Sequence, residues 1–309
     1  MLFAQLNAIS ELSNSSRLIT GRLEGLVESK LHLRELVIVL YLSHDVCTQT
    51  VRVKMVVSMK LSSVSTKLVT ASDDLYQVLS DAIPVLTERS IVVIASKIIA
   101  TTQNRFVEKR TGTKAEKYRL IERESEYYLP ATASHYEVML TVKGNWMFAN
   151  AGIDESNANG RYLLWPDNPQ AAAESIWHFL RKKFHRAEIG VTVSDSRSLP
   201  LNWGVTGHAI AHCGFNPLYS YIGKPDLYGR PMKMEQLNVA QAVTAAGALV
   251  MGEGAEQTPI AVASELPDSI EFVDHPPTPQ ELQALHISLE DDIFAPLLTA
   301  VAWQKGGVS

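Results

Sequence analysis

The chain has 309 residues, of which 46% are hydrophobic and 20% are charged, so its composition is that of a folded globular protein and excludes a disordered one. A chain of this length buries enough surface to form a core without metal or disulfide support. The formal net charge of -5 excludes a general attraction to nucleic acid or to anionic lipid. We therefore expect no nucleic-acid partner and no membrane partner, and a bound phosphate requires a local binding site.

The cysteines and the apolar segments indicate a cytoplasmic, unanchored protein. Cys47 and Cys213 are far apart and lack the spacing of a zinc site or a disulfide framework, which is typical of a reducing compartment. The longest apolar runs, such as residues 36–42, are much shorter than the roughly 20 residues that a membrane-spanning helix needs.

The first 54 residues differ in character from the rest of the chain, because they contain no proline and show no clear succession of complete elements. Residues 1–31 are compatible with one or two short helices and residues 36–42 with a strand. The alternative, which we favour, is that the functional chain begins near Met55 or Met59. In that case residues 1–54 are an N-terminal extension, and residues 55–309 form the functional domain.

From Lys60 onward, helices and strands are predicted in a regular succession. Ser72-Asp73-Asp74 offers caps for a helix that Pro84 ends. Residues 90–94 are typical of a buried strand, and the polar groups of residues 95–102 follow the end of that strand. Interspersed charges predict a solvent-exposed helix over residues 108–126. Alternation predicts a hairpin of residues 136–142 and 146–149, which carries Asp154 and Asn157 into the next loop.

The second half of the domain is predicted in the same way. Asn168-Pro169 is typical of a helix start, and residues 189–193 read as a buried strand with Asp195 just past its end. Asn238 should cap a helix that continues to Val250, and a strand is predicted over residues 259–263. Thr278 to Glu281 has the sequence of a capping box, so we expect Glu281 to serve the helix and not chemistry.

Acidic and amide side chains recur on the predicted loops and element ends, and their oxygens suit Mg or Mn. These residues are Asp154 and Asn157, Asp195 and Ser196, and Glu253 and Glu256. Spacing alone leaves open that they are turn or cap residues bonded to nearby backbone. We interpret His208 and His212 as core or surface histidines, because a third clustered zinc ligand is missing. Gly204 and Gly207 either permit a tight turn or let backbone amides approach a phosphate.

Several common nucleotide and hydrolase motifs are absent from the sequence. It contains no GxxxxGK[ST] phosphate loop, no GxGxxG after a strand, no HExxH and no GxSxG.

Six segments in order resemble the γ-glutamyl ligases of the CofE type, which add glutamate to the deazaflavin coenzyme factor 420. The resemblance is strongest to a bacterial branch assigned to folate metabolism. The segments are SDDLYQVL, VVIASKII, AGIDESNANGRYLLWPDNPQ, SDSRSLPLNWGVTGHAIAHCGF, YIGKPDLYGR and VMGEGAEQTPIAV, and they span about residues 60–263.

The resemblance implies a two-lobed α+β fold, a homodimer with its site near the subunit interface, and GTP or ATP bound with Mg or Mn. Position by position, it implies that Asp154 and Asp195 are metal ligands and catalytic residues. It implies second-metal or nucleotide contacts for Ser196 and Glu253. The same comparison implies nucleotide contacts for Asn157, Ser96 and Thr101.

The implied reaction joins L-glutamate to a carboxylate-bearing acceptor of the deazaflavin or folate type through an acyl phosphate. The deazaflavin ligases usually carry Arg-Pro and Arg-x-Gly after the Ser-Asp pair, whereas this chain has Leu199-Pro200 and Asn202-Trp203-Gly204. Two further hypotheses stay open. The same acidic loops would serve a metal-dependent phosphohydrolase, or a non-catalytic nucleotide- or metabolite-binding protein that retained the site.

Overall fold

The computed structural model describes residues 35–40, 49–54 and 59–307, and its contacts divide the chain into the units 1–57 and 58–309. In the first unit, strand β1 (Glu35–Leu40) pairs antiparallel with strand β2 (Gln49–Lys54). The strand predicted over residues 36–42 is therefore present as far as Leu40, and residues 41–42 lie outside the described residues. The helices predicted within residues 1–31 lie outside the described residues.

The second unit contains alternating helices and strands. Its strands are β3 (Lys60–Val64), β4 (Ser90–Ala95), β5 (Phe106–Val107), β6 (Tyr127–Tyr128), β7 (Leu140–Lys143), β8 (Trp146–Ala149), β9 (Tyr162–Leu163), β10 (Ile189–Ser198), β11 (Val205–Cys213), β12 (Leu218–Ser220), β13 (Gln236–Asn238), β14 (Ile260–Ser264) and β15 (Gln304–Lys305). Its α-helices are α1 (Leu75–Ala82), α2 (Ser96–Thr102), α3 (Lys114–Glu124), α4 (Pro169–Phe184), α5 (Val239–Met251), α6 (Pro279–Gln283) and α7 (Ala295–Leu298).

A five-stranded mixed sheet lies at the centre of this unit, with strand order β11-β10-β4-β14-β3. Only β4 and β10 run parallel, and the other pairs are antiparallel. Alternate residues of β4 enter different hydrophobic clusters, as the two faces of a strand require. Val92 and Ile94 pack with Trp177 of α4, whereas Ile91 and Val93 pack with Val243 of α5. Helices thus cover both faces of the sheet.

A second, four-stranded antiparallel sheet has the order β15-β6-β7-β8. Beside it α3 contributes Leu120 and Ile121 to a separate hydrophobic cluster that also holds Met139 and Tyr162. Helices and mixed sheets in one unit confirm the predicted α+β class. Within the described residues, none of the helices combines the length and the apolar character that crossing a bilayer would demand.

Four predicted helix starts are confirmed, because each depends on a side chain that bonds to the first turn of its own helix. The observed acceptor and donor pairs are Asp74 with the amide of Tyr76, Asn168 with Ala171, Asn238 with Gln241, and Thr278 with Glu281. Thr278 and Glu281 form the predicted reciprocal capping box.

Three predicted elements have different bounds in the structure. The charged helix is shorter than residues 108–126, because the Glu116 carboxylate accepts the amides of Arg110, Thr111 and Gly112 and holds them in a loop before the helix. Residues 96–102, predicted only as a polar segment after a strand, form helix α2. Strand β7 begins at Leu140 and not at residue 136, since Glu137 has a left-handed φ of 55°.

The predicted end of β10 at Val193 is wrong. The pairing with β11 shifts register between Val193 and Ser194 and then continues to Ser198, so that Asp195 and Ser196 lie within the strand. Residues 194–198 form the outer half of β10, and in residues 195–198 half-buried and exposed side chains alternate, as in an edge strand. The shift allows one strand to be buried at its start and to carry polar side chains at its end.

The turn interpretation of Gly204 to Gly207 agrees with the structure at Gly204, which lies in a bend, but is wrong for Gly207. Gly204 has a left-handed φ of 90°, but Gly207 lies inside β11 and pairs with Ser196. A Cβ atom on Gly207 would lie 2.4 Å from the Cβ of Ala248 and 2.8 Å from the carbonyl oxygen of Thr244. Gly207 therefore allows α5 to approach the sheet closely.

We expect Gly207→Ala to lower the free energy of unfolding by about 1–3 kcal/mol, the usual cost of overpacking a core. Chemical denaturation followed by circular dichroism measures this change. Adding Ala248→Gly removes the clashing methyl group, so the double variant should recover stability relative to Gly207→Ala. A loss in the double variant larger than the sum of the two single losses would contradict this packing explanation.

Candidate functional site

A cleft of about 700 Å³ opens between the carboxyl end of β4, the outer half of β10 and two loops. Residues 66–71 line one side, and residues 252–259 line another. The residues predicted from the sequence that line the cleft are Ser96, Thr101, Asn157, Asp195, Ser196, Glu253 and Glu256. The structure therefore brings together side chains from four separate segments of the chain.

Asp154 lies next to this cleft and is joined to it by Lys97, which lines the cleft. The Lys97 ammonium contacts the Asp154 carboxylate and donates to the Ser156 hydroxyl at 2.9 Å. The Ser156 amide donates to Asp154 Oδ1 at 2.7 Å. Burial alone would raise the pKa of Asp154, but Lys97 and Ser156 outweigh it and lower that pKa below its ordinary value. Asp154 is thus an anion that already has a counter-ion.

Asp195 has a different environment. The buried indole N–H of Trp165 donates to its Oδ2, and the Ser196 amide donates to Oδ1 at 2.9 Å. Burial raises the pKa of Asp195 to about 6, although the two donors partly oppose it, and the negative charge of Asp154 raises it further. Because the two carboxylates influence each other, they belong to one electrostatic site.

The loop after α5 is attached to β10 by side-chain contacts. The Ser196 hydroxyl donates to Glu253 Oε2 at 2.7 Å, and the Asn157 side-chain amide donates to the Gly254 carbonyl at 3.3 Å. Within the loop, the Gly254 amide donates to Glu256 Oε2 at 2.8 Å. Glu256 therefore shapes the loop, whereas Glu253 faces Ser196 across the cleft.

The predicted meeting of Asp154, Asp195 and Glu253 around shared cations is not what the structure shows. Across residues 59–307, no three His, Cys, Asp or Glu side chains are close enough to hold a metal ion. Each carboxylate instead bonds to a protein donor. The donor set is nevertheless made of oxygens only, and Mg²⁺ commonly uses one or two carboxylates together with water and substrate phosphates. The residues therefore fit hard cations that a polyphosphate helps to bind.

The two glycines predicted to approach a phosphate are not part of the cleft lining. Gly204 precedes β11 and Gly207 lies within it, on the side that packs against α5. The interpretation of the histidines is confirmed, because His208 and His212 are buried core residues of β11. Burial lowers the pKa of His208 to about 3 and that of His212 to about 4, so both are neutral.

Sequence reasoning missed Lys97, Arg161 and Trp165. Lys97 follows directly after a buried strand, so the argument applied to Asp195 would have found it. Arg161 lines the cleft, and its guanidinium lies 3.6 Å from the centre of the Phe106 ring. We found no sequence signal for Trp165, since its contact with Asp195 joins residues 30 positions apart.

The raised pKa of Asp195 predicts a dependence of stability on pH. Its carboxyl binds a proton more tightly in the folded chain, so its contribution to stability falls as the pH rises from about 4 to about 6 and stays low above that. Asn keeps an acceptor for Trp165 without the charge. In metal-free buffer we expect Asp195→Asn to raise the melting temperature by several degrees at pH 7.5, and by less at pH 5.

The exposed Asp268→Asn serves as the control and should give the same offset from the unsubstituted chain at both pH values. Calorimetry at the two pH values measures the difference. An Asp195→Asn effect that is equal at pH 5 and pH 7.5 would contradict the burial of this charge.

Comparison with known proteins gives a consistent result. The sequence model of the family F420-0:Gamma-glutamyl ligase matches residues 63–265. The coenzyme F420:L-glutamate ligase of Methanopyrus kandleri is 27% identical over 237 residues, which cover 72% of this chain and 91% of that protein. The enzymes of the same name from Methanothermobacter thermautotrophicus and Methanosarcina acetivorans are each 29% identical, over 65% and 63% of this chain and 86% and 81% of their own lengths.

The family match spans more than half of the chain and contains the cleft with all of its predicted residues. It also contains Asp154, together with Lys97, which contacts Asp154, and Trp165, which donates to Asp195. The chain belongs to the F420-0:γ-glutamyl ligase family.

Proposed function

We propose that this protein is a γ-glutamyl ligase that uses a nucleoside triphosphate, GTP or ATP, and a divalent cation, Mg or Mn, to join L-glutamate to a carboxylate-bearing acceptor. The observation that carries the proposal is the cleft within the family match, which is lined by Asp195, Ser196, Glu253, Lys97 and Asn157. The relatives are named for coenzyme F420 as acceptor. A deazaflavin or a folate-type acceptor is therefore the substrate class to test first.

The reaction needs an activated carboxylate, because the oxygen of a free carboxylate is a poor leaving group. An acceptor carboxylate oxygen attacks the γ-phosphorus of the triphosphate, and the nucleoside diphosphate leaves. The amine of L-glutamate then attacks the carbonyl carbon of the acyl phosphate, loses a proton, and expels inorganic phosphate. The products are an amide that joins the acceptor carbonyl to the glutamate nitrogen, the nucleoside diphosphate and inorganic phosphate.

The cleft has the size and polarity that this chemistry requires. Its volume of about 700 Å³ falls within the range of small-molecule sites. In the proposal, Ser96, Thr101 and Asn157 contact the nucleotide, and Lys97 offsets part of the charge on its phosphates. We infer no phosphate contact for Gly204 or Gly207, because neither residue lines the cleft.

Asp154 and Asp195, with Ser196 and Glu253, are the residues that would hold the divalent cations. Such a cation supplies positive charge next to the triphosphate and the attacking carboxylate, and this lowers the barrier to phosphoryl transfer. Asp154 is ionised and could bind a cation in place of the Lys97 ammonium. Ser196 positions Glu253 through the bond between its hydroxyl and Oε2.

A cytoplasmic homodimer is part of the same proposal. The dimer is inferred from the family resemblance, and the cytoplasmic location from the cysteine content and the apolar segments. Sedimentation of the purified protein, with and without nucleotide, measures its oligomeric state.

We expect Asp154→Asn and Asp195→Asn each to lower turnover by about two orders of magnitude or more, the usual scale for losing a charge-stabilising group. Both variants should stay folded, because asparagine keeps the shape of the side chain. Asp268→Asn removes an exposed carboxylate elsewhere and should leave turnover unchanged. Rates of diphosphate release in the presence of glutamate and acceptor measure the effect. Unchanged rates in both site variants would refute their assigned roles.

Glutamate dependence tests the reaction class. We expect diphosphate release to require both L-glutamate and an acceptor, and we expect mass spectrometry with isotope-labelled glutamate to show an acceptor heavier by one glutamyl unit. The acceptors to supply are coenzyme F420 and a metabolite extract, each with Mn²⁺ and either GTP or ATP. Equal diphosphate release without glutamate and acceptor would instead identify a metal-dependent phosphohydrolase.

A further inference from the structure

Arg197 is a half-buried cation without an acidic partner in the part of the chain that the structure describes. Its guanidinium has no Asp or Glu oxygen within 4 Å among those residues, and its Nε is buried with no hydrogen-bond partner. Its one side-chain contact of hydrogen-bond type is Nη1 with His208 Nδ1 at 3.4 Å. A cation placed in this way is costly, because desolvation of a charge is repaid only by a close opposite charge.

The groups around Arg197 do not supply that charge. His208 is neutral, since burial first and the Arg197 charge second hold its pKa at about 3. The ring of Phe148 lies 6.0 Å from the guanidinium carbon. The negative charge of Asp292 favours the protonated form of Arg197, but the Asp292 carboxylate lies more than 4 Å from the guanidinium. That carboxylate instead accepts the Phe294 amide at 2.9 Å.

Arg197 lies close to the cleft. Asp195 and Arg197 are two residues apart on β10 and share one face of the strand, about 7 Å apart along it. Phe148, beside Arg197, packs edge-on against Trp165 with 4.9 Å between ring centres, and Trp165 donates to Asp195. Arg197 itself is not part of the cleft lining. It therefore lies just beyond the cleft, next to the carboxylate that we assign to the reaction.

We propose that Arg197 binds a carboxylate of one of the two organic substrates, the incoming L-glutamate or the acceptor, and so determines which carboxylic acids the protein accepts. The proposal rests on the proposed function for the identity of those substrates. A guanidinium suits this role because its planar fork pairs with a carboxylate through two parallel hydrogen bonds. Such a ligand would supply the anion that Arg197 lacks, and it would lie within one substrate length of Asp195.

Binding without turnover tests the proposal. Isothermal titration measures the affinity of L-glutamate, coenzyme F420 and inorganic phosphate for the full chain with Mn²⁺ and a non-hydrolysable triphosphate analogue. We expect Arg197→Gln to weaken L-glutamate or coenzyme F420 at least tenfold, and the weakened ligand identifies which substrate carries the carboxylate. Arg197→Lys keeps the charge and should recover part of the affinity. Arg119→Gln, an exposed arginine on α3, should stay within twofold.

The proposal is overturned if Arg197→Gln leaves both organic ligands within twofold, if it weakens inorganic phosphate alone, or if neither organic ligand binds the unsubstituted chain. A purely structural role would lower the melting temperature of Arg197→Gln without changing either affinity, and that result also overturns it. The result of this binding test can be distinguished from the result of the test of the proposed function. Weakened binding in a chain that forms no ligated product would support Arg197 and refute the ligase, and unchanged binding in an active ligase would do the reverse.

Discussion

The hydrogen bond from Trp165 to Asp195 is the contact on which the arrangement of the site depends. It attaches the outer half of β10 to the segment that leads into α4, and it keeps a carboxylate in a place where burial raises its pKa to about 6. Asp195 reaches this position only because β10 continues past the register shift at Ser194. The same continuation places Ser196 opposite Glu253 and sets Arg197 on the face of Asp195.

Charge around the cleft is arranged asymmetrically. Asp154 has a direct ammonium partner in Lys97, whereas Asp195 accepts only from neutral donors. Among the described residues, the only side chain within hydrogen-bond distance of the Arg197 guanidinium is the neutral imidazole of His208. Unbalanced groups of both signs therefore lie on neighbouring parts of one strand. Such groups destabilise a folded chain unless a ligand pairs with them, so their presence agrees with a site shaped for charged substrates. The anionic polyphosphate and the divalent cations of the proposed reaction have complementary charges.

The fold could be predicted from the sequence where the determinants are local. The caps at Asp74, Asn168, Asn238 and Thr278 bond within their own first turn, so sequence alone locates the helix starts. The buried core of β4 is visible as an apolar run for the same reason. The full extent of β10 is not visible, because its alternating outer half becomes a strand only through pairing with β11.

The candidate site shows the same difference between local determinants, which the sequence reveals, and long-range contacts, which it does not. The polar residues near element ends were recognised, and several of them do line one cleft. Their partners were not predicted, because Lys97 meets Asp154 and Trp165 meets Asp195 across long separations in sequence. The role of Gly207 was misread for a related reason, since its need for a small side chain comes from Ala248 on a helix. Three-dimensional packing, and not residue type, decides such cases.

The contact between Lys97 and Asp154 has a thermodynamic consequence. In the proposed site, the Lys97 ammonium lies against Asp154 where a bound cation would otherwise lie, and its positive charge opposes the repulsion between Asp154 and Asp195. A divalent ion that takes Asp154 must release this ammonium, which is then available to a polyphosphate in the same cleft. Metal and nucleotide would therefore favour each other's binding, and by reciprocity each would strengthen the other by the same factor.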